Sequence, residues 1–405
     1  MPIGYNTVER YRHMTSNRFD FLELGDDGKR PDASAPQTAL TPEDAHPHLG
    51  GSGVDAEGRP LAQVTVTDTR GYYDILLQAQ RIAGEPAISL ALQPDVPGGF
   101  CLTETIGRRG VQSGEFNFPT GLAVDAEGVL FVADSYNHRV QRITPDGGVA
   151  VIGSRGAGYG QFLSPQDVDV DIRGAFYVLE QGNNRIQKFS SSGVQSLAFG
   201  RTGHLPGEFF GPTGIAVARS GLIYVADTGN SRVQQFSASG EFLGMIGSLP
   251  GARRLTSPQS IALDEFDNVY IADTFTHRVL RFDPMGRFTG ELGGLLQTPD
   301  GSVPRLVEPR AVAVDTAGLI YIAERGDVLA DGNPSVGRLQ VIDRGGFQVL
   351  SRIDRLPQRH GLLNRPSGIA IGPASSVPRN CAPRGDVYVA DTMNHRILRF
   401  GWQWK

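Results

Sequence analysis

The sequence is poor in several features that would each point to a class of protein. Cysteine occurs only twice in 405 residues, which excludes a disulfide scaffold and any zinc site built from four cysteines. Lysine occurs only three times, so a cationic site in this chain depends on arginine. No apolar run approaches the roughly 18 residues that a membrane-spanning helix needs, and the N-terminus lacks the apolar segment of a Sec signal peptide. We therefore expect a soluble protein that is cytoplasmic, or exported only as part of an assembly.

The chain also lacks an excess of positive charge. It has 38 basic and 43 acidic residues, a formal net charge of −5. The acidity lies in residues 1–99, with 8 basic and 14 acidic side chains, whereas residues 108–405 carry 30 basic and 28 acidic ones. A nearly neutral surface does not attract the phosphate backbone of nucleic acid over a distance. Nucleic acid is therefore an unexpected partner.

Glycine and proline are abundant, at 52 and 26 residues, which indicates many tight turns. They accompany an internal repeat. The segment FNFPTGLAVDAEGVLFVADSYNHRVQRI returns in five further versions, two of them stretched by insertions. The six copies occupy residues 116–143, 162–189, 209–236, 255–282, 307–342 and 364–400. A repeat of this length, found six times, indicates a repeat architecture.

Each copy contains short runs of alternating β-forming residues separated by turn residues, which predicts about four antiparallel strands per repeat. One acidic position recurs in every copy and shows how the copies align with one another. Its residues are Asp134, Glu180, Asp227, Asp273, Glu324 and Asp391. A single four-stranded unit cannot bury both of its faces, so the copies are expected to pack around an axis. The predicted fold is therefore an all-β propeller with six blades.

The run Asn137-His138-Arg139, which returns as Asn394-His395-Arg396, resembles the NHL-repeat family of six-bladed β-propellers. The resemblance covers about residues 108–405. Copy two departs from the family pattern at Leu179-Glu180, and copy five replaces the tight loop with a longer insertion. The resemblance implies the fold strongly and the activity far less, because one fold supports many functions.

The sixth copy ends after its third strand, so its fourth strand must come from elsewhere. The segment FCLTETIG at residues 100–107 matches the fourth-strand pattern. We expect it to complete the last blade and so to close the ring, which removes the open sheet edges. Cys101 would begin this strand and Cys381 lies in an enlarged turn of blade six. A structural disulfide between them is one possibility, and two reduced thiols are the other.

Two domains are predicted. Residues 100–405 form the propeller, and residues 1–99 form an acidic arm with a partly ordered β-hairpin at about residues 54–77. The hairpin is suggested by alternation around the turn Asp68-Thr69-Arg70-Gly71. The segment also resembles part of a carboxypeptidase-regulatory-like β-sandwich, though it is too short for a complete one. The alternative is a hairpin that packs on the side of the propeller.

Acid and arginine pairs recur across the same hairpin of several blades and are expected to be structural, because repetition encodes the scaffold. The four pairs are Asp134/Arg139, Asp227/Arg232, Asp273/Arg278 and Asp391/Arg396. Departures from the repeat carry more information about function. The largest is in the inner strand of blade two, where Asp167 and Asp169 replace Gly121 and Ala123 of blade one.

Asp167 and Asp169 are two residues apart, so their carboxylates point to the same side of a strand. Close carboxylates share a proton, recruit an arginine or bind a cation. They therefore either hold a divalent cation at the mouth of the central channel or accept hydrogen bonds from the neighbouring blade. We expect no cofactor other than this possible cation.

The residues after the repeated proline are predicted to surround the channel mouth, as Thr120, Gln166, Thr213, Gln259, Arg310 and Ser367. Arg310 is the only charge among them, and it either anchors an acidic ligand or neutralises the aspartates. Loops predicted on the same face carry aromatic and soft side chains, namely Tyr136, His138, Phe275, His277, Met393 and His395. Together with Asp167, these residues form a candidate surface for a protein partner.

Motifs for hydrolases, zinc peptidases and nucleotide-binding loops are absent from the sequence. The sequence therefore favours a non-enzymatic interaction scaffold, with one face for a macromolecular partner and the arm as a tether into a larger assembly. An enzyme of the metal-dependent lactonase or lyase kind is the alternative, with Asp167, Asp169 and Gln166 around a cation and Arg310 on an anionic substrate. An RNA-binding propeller is weaker. The oligomeric state is left open.

Overall fold

The computed structural model describes residues 52–54, 60–62, 99–246, 254–293, 306–325, 337–346, 348–353, 356–357, 360–373 and 381–403. The chain divides into two compact units, Met1–Val96 and Pro97–Lys405. In the first unit, strands β1 (Ser52–Val54) and β2 (Pro60–Ala62) pair antiparallel. The turn at residues 68–71, on which the hairpin prediction depended, lies outside the described residues.

The second unit contains six four-stranded antiparallel sheets, which confirms the six-bladed all-β propeller predicted from the repeats. The described residues contain no α-helix, only single turns of 3-10 helix such as Ser135–Asn137, Thr228–Asn230, Thr274–Thr276 and Thr392–Asn394. Each of these turns follows the second strand of its blade. The first strand of every sheet is the inner one, at the central axis.

The strands of blades one to three follow the repeat closely. Blade one contains β4 (Pro119–Val124), β5 (Leu130–Asp134), β6 (Arg139–Ile143) and β7 (Val149–Ile152). Blade two contains β8 (Pro165–Val170), β9 (Phe176–Glu180), β10 (Arg185–Phe189) and β11 (Gln195–Phe199). Blade three contains β12 (Gly214–Val217), β13 (Ile223–Asp227), β14 (Arg232–Phe236) and β15 (Phe242–Ile246).

Blades four to six keep this order despite their insertions. Blade four contains β16 (Pro258–Leu263), β17 (Val269–Asp273), β18 (Arg278–Phe282) and β19 (Phe288–Gly293). Blade five contains β20 (Pro309–Val314), β21 (Ile320–Glu324), β22 (Arg338–Ile342) and β23 (Val349–Ile353). Blade six contains β24 (Gly368–Ile371), β25 (Cys381–Asp391) and β26 (Arg396–Gln403), and its fourth strand is β3 (Gly99–Ile106).

The ring is joined where β3 pairs antiparallel with β26. Ile106 lies opposite Ile397 and Leu102 lies opposite Phe400, with one irregularity in register between Arg399 and Phe400. The outer edge of blade six is thereby covered by a segment about 300 residues away in sequence. This arrangement avoids a three-stranded blade with an unpaired edge.

The hydrophobic core consists of six separate clusters, one in each seam between adjacent blades. One large apolar residue of the connection before each inner strand is fully or nearly fully buried in its seam, as Phe116, Phe162, Phe209, Leu255, Leu306 and Leu363. Burying such a side chain contributes about 2 to 3 kcal/mol. The blades are therefore held together by apolar contact between neighbours.

Candidate binding face

Successive strands of each blade run in opposite directions, and this determines which loops lie on the same face of the propeller. An inner strand begins where the second strand of its blade ends, so the starts of the inner strands and the loops between second and third strands lie on one face. We call this the upper face. The turns between first and second strands and between third and fourth strands lie on the opposite, lower face. The predicted partner residues thus belong to the upper face.

Beneath the upper face, each repeated acid is the centre of a buried hydrogen-bond network. Asp134 is fully buried and accepts hydrogen bonds from Arg139 Nε at 2.7 Å, Gln141 Nε2 at 3.0 Å and the Asn117 N–H at 2.7 Å. Arg139 in turn donates to three carbonyl oxygens of the connection that precedes blade one, including that of Glu115 at 2.8 Å. The network ties this connection to the hairpin.

The other blades repeat the network with their own residues. Asp227, Asp273 and Asp391 contact Arg232, Arg278 and Arg396 at 2.7, 3.0 and 2.8 Å. Blade two uses Glu180 with Arg185, and blade five uses Glu324 with Arg338 across its insertion. All these contacts are internal to the fold, so the pairs offer no free charge to a ligand.

The histidines of the NHL motif join neighbouring blades. The Nδ1 atom of His138 accepts a hydrogen bond from the Ser164 N–H at 3.0 Å, and that of His395 accepts one from the Phe118 N–H at 3.1 Å. His277 makes the equivalent bond to the Glu308 N–H at 3.0 Å. These three side chains were predicted as partner residues. In the structure, the Nδ1 atom of each accepts a hydrogen bond from a backbone N–H of the neighbouring blade.

An accepting Nδ1 requires a neutral ring that carries its proton on Nε2. Burial lowers the pKa of His138 and of His395, and the nearby Arg155 and Arg109 respectively lower them further. Both shifts favour the neutral form that the bond between blades needs. These histidines are therefore poor candidates for general acids near neutral pH.

Large apolar side chains are exposed in the same loops. Tyr136 is 60% exposed, Phe275 65% and Met393 37%. The Tyr136 ring lies 4.5 Å from that of Phe118, and the Phe118 ring lies 4.5 Å from that of His395, in edge-to-face contact. Phe118, Tyr136 and His395 thus gather around the seam between blades six and one, and we call them the aromatic patch.

Phe118 was missed by the sequence reasoning. Its backbone φ is 54°, a left-handed conformation that is rare for a bulky residue. The signal in the sequence was its position in the repeat, immediately before the proline that recurs in every copy. At this position the other copies have Ser164, Gly211, Ser257, Glu308 and Arg365. An aromatic at this position marks the seam between blades six and one as different from the others.

Around the channel mouth, the short polar side chains are hydrogen-bonded within their own blade or to the next blade. Thr213 Oγ1 donates to the Gln259 carbonyl at 2.9 Å, and Ser367 Oγ lies 2.5 Å from Thr392 Oγ1. Thr120 is buried, with Oγ1 3.4 Å from the Ala133 carbonyl. Gln166 and Gln259 have longer side chains, and both are half-buried.

Asp167 and Asp169 lie in the seam between blades two and three. Asp167 accepts hydrogen bonds from the Ile215 and Val168 N–H groups, both at 2.9 Å. Asp169 accepts from the Val217 N–H at 2.6 Å and the Val170 N–H at 2.8 Å. The two carboxylates therefore satisfy the inner edge of β12, which otherwise has unpaired donors.

Burial raises the pKa of Asp167 to about 8 and that of Asp169 to about 6, because the loss of water outweighs the stabilising N–H donors. Each carboxylate oxygen already has a backbone donor, which fits poorly with cation binding. Across the described residues, no group of three or more His, Cys, Asp or Glu side chains is placed to hold a metal ion. A cation at Asp167 and Asp169 stays a prediction.

Arg310 is partnered by a different acid from the one expected. Its Nη2 atom lies 3.6 Å from Glu308 Oε2, whereas the carboxylates of Asp167 and Asp169 are bonded to backbone N–H groups. The contacts therefore do not favour the idea that Arg310 neutralises the aspartates. It lies at the start of β20 on the upper face, where Glu308 also contacts Arg325 at 2.7 Å.

The register of blade six separates the two cysteines. Cys101 lies opposite Gly401 and Cys381 lies opposite Gln403, so β26 runs between them. Neighbouring strands are about 4.8 Å apart, so backbones two strands apart are separated by ~9.6 Å. A disulfide needs Cα atoms within about 7 Å. The disulfide between Cys101 and Cys381 stays a prediction, beside the alternative of two reduced thiols.

The described residues contain no helix that is long and apolar enough to cross a membrane. Comparison with known proteins agrees with the repeat and the fold. The family model of the NHL repeat matches residues 116–143 and 209–236. No curated protein matches the sequence.

Several solved structures are similar in fold. A protein of unknown function from Bacteroides thetaiotaomicron aligns with a TM-score of 0.52 and 16% identity, over 75% of this chain and 76% of that one. A gluconolactonase from Xanthomonas campestris aligns with a TM-score of 0.50 and 14% identity, over 77% of this chain and 99% of that one. Virginiamycin B lyase from Staphylococcus aureus has a TM-score of 0.48 and 14% identity, over 75% and 99%.

Identities this low concern the fold alone, and these proteins' activities are not transferred to the chain. The fold itself rests on three agreeing observations. The sequence contains six copies of one repeat, the NHL family model matches two of them, and the six copies form six four-stranded blades around an axis. The chain is a six-bladed β-propeller that contains NHL repeats.

Proposed function

We propose that the protein is a non-enzymatic interaction scaffold whose upper face binds a protein partner. The arm of residues 1–99 would tether the propeller into a larger assembly. The observation that carries the proposal is the aromatic patch, in which the ring of an exposed tyrosine lies 4.5 Å from that of a phenylalanine with left-handed backbone geometry. Aromatic and methionine side chains are enriched at the centres of protein interfaces.

The lower face also exposes apolar side chains, which provides a control. Ile172, Val194 and Met285 are 72%, 66% and 76% exposed and lie in separate turns of that face. Single exposed apolar residues of this kind are ordinary on protein surfaces. A contiguous group at a seam is less ordinary, and this difference favours the upper face as the docking surface.

The test is retention of the partner that copurifies with the full-length protein. The variant Tyr136→Ser/Phe275→Ser/Met393→Ser should retain at least about tenfold less partner than the wild type, because buried aromatic anchors dominate interface energies. The control variant Ile172→Ser/Val194→Ser/Met285→Ser should retain it fully. Equal retention by the two variants, or a loss confined to the control, would show that the upper face is not the docking surface.

The arm and the cation have tests of their own. A variant lacking residues 1–96 keeps the whole of β3, and it should retain a partner that binds the propeller but leave the larger assembly. For the enzyme alternative, a midpoint of thermal unfolding that rises with added Ca²⁺ and falls with a chelator would favour a cation at Asp167 and Asp169. We expect an unchanged midpoint, because the carboxylate oxygens already accept backbone donors.

A further inference from the structure

The outer edge of blade one differs from the outer edges of the other blades. Its last strand, β7 (Val149–Ile152), has the apolar sequence Val-Ala-Val-Ile. The first three of these residues are exposed to solvent, and Val151 is 43% exposed. The sheet ends at β7, because its strand order is β4-β5-β6-β7. An exposed apolar edge strand is a template on which another strand can pair.

The other blades protect their outer edges with an irregularity. In blades two to six, the register shifts once between the third and the fourth strand. Such β-bulges bend the strand and interrupt its row of hydrogen-bonding groups. In blade one, residues 140–143 pair with residues 149–152 without a shift. Of the six outer pairs that the structure describes, this one alone is regular, so β7 is the edge best prepared for a further strand.

The open edge of β7 presents backbone groups from alternate residues. At the turn that leads into β7, the Thr144 N–H donates to the Gly148 carbonyl at 2.9 Å. Hydrogen-bonded pairs alternate along an antiparallel ladder, so Val149 and Val151 belong to the pairs that make no bonds with β6. Their N–H and C=O groups therefore point away from the sheet, where a second strand can reach them.

The two ends of β7 carry opposite charges. Asp146 lies in the turn before the strand, and Arg155 lies shortly after its end. The hydrogen bond from Thr144 Oγ1 lowers the pKa of Asp146, which keeps its carboxylate ionised. Both charged side chains are exposed, and neither forms an ion pair within the part of the chain that the structure describes. Each is therefore available to an opposite charge on another molecule.

We propose that β7 pairs antiparallel with β7 of a second copy of this chain, so that the protein forms a two-fold symmetric dimer through blade one. Val149 of each copy faces Val151 of the other, which gives about four hydrogen bonds between the two backbones. Ala150 meets its counterpart at the symmetry axis, where two small side chains fit closely. Antiparallel order also places Asp146 of each copy near Arg155 of the other.

A second copy fits this edge better than an unrelated extended segment does. A two-fold interface requires a surface that complements itself. The edge of β7 meets this condition in its backbone groups, in its apolar side chains and in the charges at its ends. Because paired strands run in opposite directions, the upper faces of the two copies point opposite ways and stay open. The dimer therefore does not depend on the proposed docking function.

The expected dimer is weak because the paired strands are short. Stable protein interfaces bury about 1,200 to 2,000 Å², more than an edge of this length provides. We expect a dissociation constant of about 1 to 100 µM. The experiment is sedimentation velocity of the full-length protein at concentrations between about 1 and about 300 µM, which cover this range.

The variants change either the edge or the charges at its ends. Val151→Lys puts a charge where Val149 of the other copy packs. Leu243→Lys is the control, because Leu243 is 52% exposed on β15, an apolar outer strand whose pairing contains a bulge. Arg155→Glu reverses one end charge, and Asp146→Arg/Arg155→Glu reverses both. Thermal unfolding is recorded for every variant.

Val151→Lys should weaken dimerisation by at least about tenfold, whereas Leu243→Lys should leave it unchanged. Arg155→Glu should weaken it by a smaller factor, because two negative charges then meet at each end of the pair. Asp146→Arg/Arg155→Glu should restore the dimer. Restoration is specific to antiparallel order, since a parallel pair would bring identical ends together.

Three results would overturn the dimer. The first is a monomer at every concentration, which is also the result expected if β7 pairs only with a strand of another protein. The second is a dimer that Val151→Lys leaves as stable as the wild type, because the contact would then lie elsewhere. The third is a double charge variant that dimerises no better than Arg155→Glu. If Val151→Lys unfolds at a lower temperature, the exposed charge variants still decide the question.

Discussion

Single residues in the seams make the propeller sensitive to pH in two opposite ways. His138 and His395 must stay neutral to accept N–H donors from the next blade, and their pKa values are lowered by burial. A lowered pKa contributes stability that is present above the unfolded value of about 6.5 and lost as the pH falls through the folded value. Asp167 and Asp169 have raised pKa values and act in the opposite direction.

Blade two shows how the histidine contribution can be isolated. At the position of His138, blade two has Asn184, whose Oδ1 accepts the Gly211 N–H at 2.8 Å. The variant His395→Asn should therefore keep the bond to Phe118 without a titrating group. Its stability at about pH 7.5 should lie within about 1 kcal/mol of the wild type.

Below about pH 6.5, His395→Asn should lose less stability than the wild type. Urea unfolding between about pH 7.5 and about pH 5 measures the difference directly. His395→Ala is the control, since it removes both the bond and the titration and should be less stable at every pH. A pH profile of His395→Asn parallel to that of the wild type would contradict the role given to this histidine.

The aspartates can be tested with the residues of blade one. The variant Asp167→Gly/Asp169→Ala recreates Gly121 and Ala123 and leaves the Ile215 and Val217 N–H groups without acceptors. Because the folded pKa values are raised to about 8 and about 6, ionisation of these groups weakens the wild type as the pH rises from about 4 to about 8. The variant should therefore be least stable, relative to the wild type, at low pH.

The difference in the free energy of unfolding between the wild type and Asp167→Gly/Asp169→Ala should become smaller by at least about 1 kcal/mol between pH ~5 and pH ~9. Urea denaturation at both pH values gives the two differences. A gap that is constant, or that widens at high pH, would show that the carboxylates are ionised in the folded protein at all these pH values.

The hairpin of each blade depends on one buried carboxylate. Asp227 accepts hydrogen bonds from Phe210 N–H, Asn230, Arg232 and Gln234. In Asp227→Asn, an amide group faces some of these donors and Arg232 loses its counter-charge. The free energy of unfolding should fall by about 3 to 5 kcal/mol.

The control for Asp227→Asn is an ion pair at the surface, formed by the same two residue types, aspartate and arginine. Arg287 contacts Asp283 at 2.7 Å, but its side chain is 67% exposed. Arg287→Gln should change the free energy of unfolding by less than about 1 kcal/mol. Chemical denaturation of both variants provides the measurement, and similar losses would contradict the importance given to burial.

The elements themselves were largely predictable from the sequence. The repeated acid sets the phase, each strand has β-forming residues between turn signals, and the six-bladed fold followed from counting copies. Contacts across the seams were not predictable, because they join residues such as His395 and Phe118 that are 277 positions apart. Local periodicity contains no information about which side chain of one blade meets which backbone group of the next.

The same limit applies to the candidate sites. Exposed residues of single loops, such as Tyr136 and Phe275, were identified from their repeat position. The contact of Arg310 with Glu308 was not, because it depends on the left-handed backbone at Glu308, which the repeat pattern does not reveal. The register that separates Cys101 from Cys381 likewise depends on which residues of β26 each strand faces.

For the whole molecule, close packing of the inner strands fixes the width of the ring. A Cβ added to Gly368 would lie 2.1 Å from the carbonyl oxygen of Thr120 in the next blade, too close without moving the backbone. Gly368→Ala should therefore destabilise the protein by about 1 to 3 kcal/mol.

Gly244→Ala is the matched control for Gly368→Ala, because a Cβ there meets nothing within 4 Å. It lies on the outer strand β15 and should change stability by no more than about 0.5 kcal/mol. Thermal unfolding of the two variants compares the inner and outer strands. Equal midpoints would mean that the blades are not as close at the axis as the account requires.

The central claim is that the upper face of this propeller is the surface that meets a protein partner. Hydroxyl-radical footprinting of the full-length protein, free and bound to the partner that copurifies with it, tests this most directly. Tyr136, Phe275 and Met393 should become protected in the complex, whereas Ile172, Val194 and Met285 on the lower face should react as before. Protection of the lower-face residues with unchanged reactivity at Tyr136 and Met393 would contradict the claim.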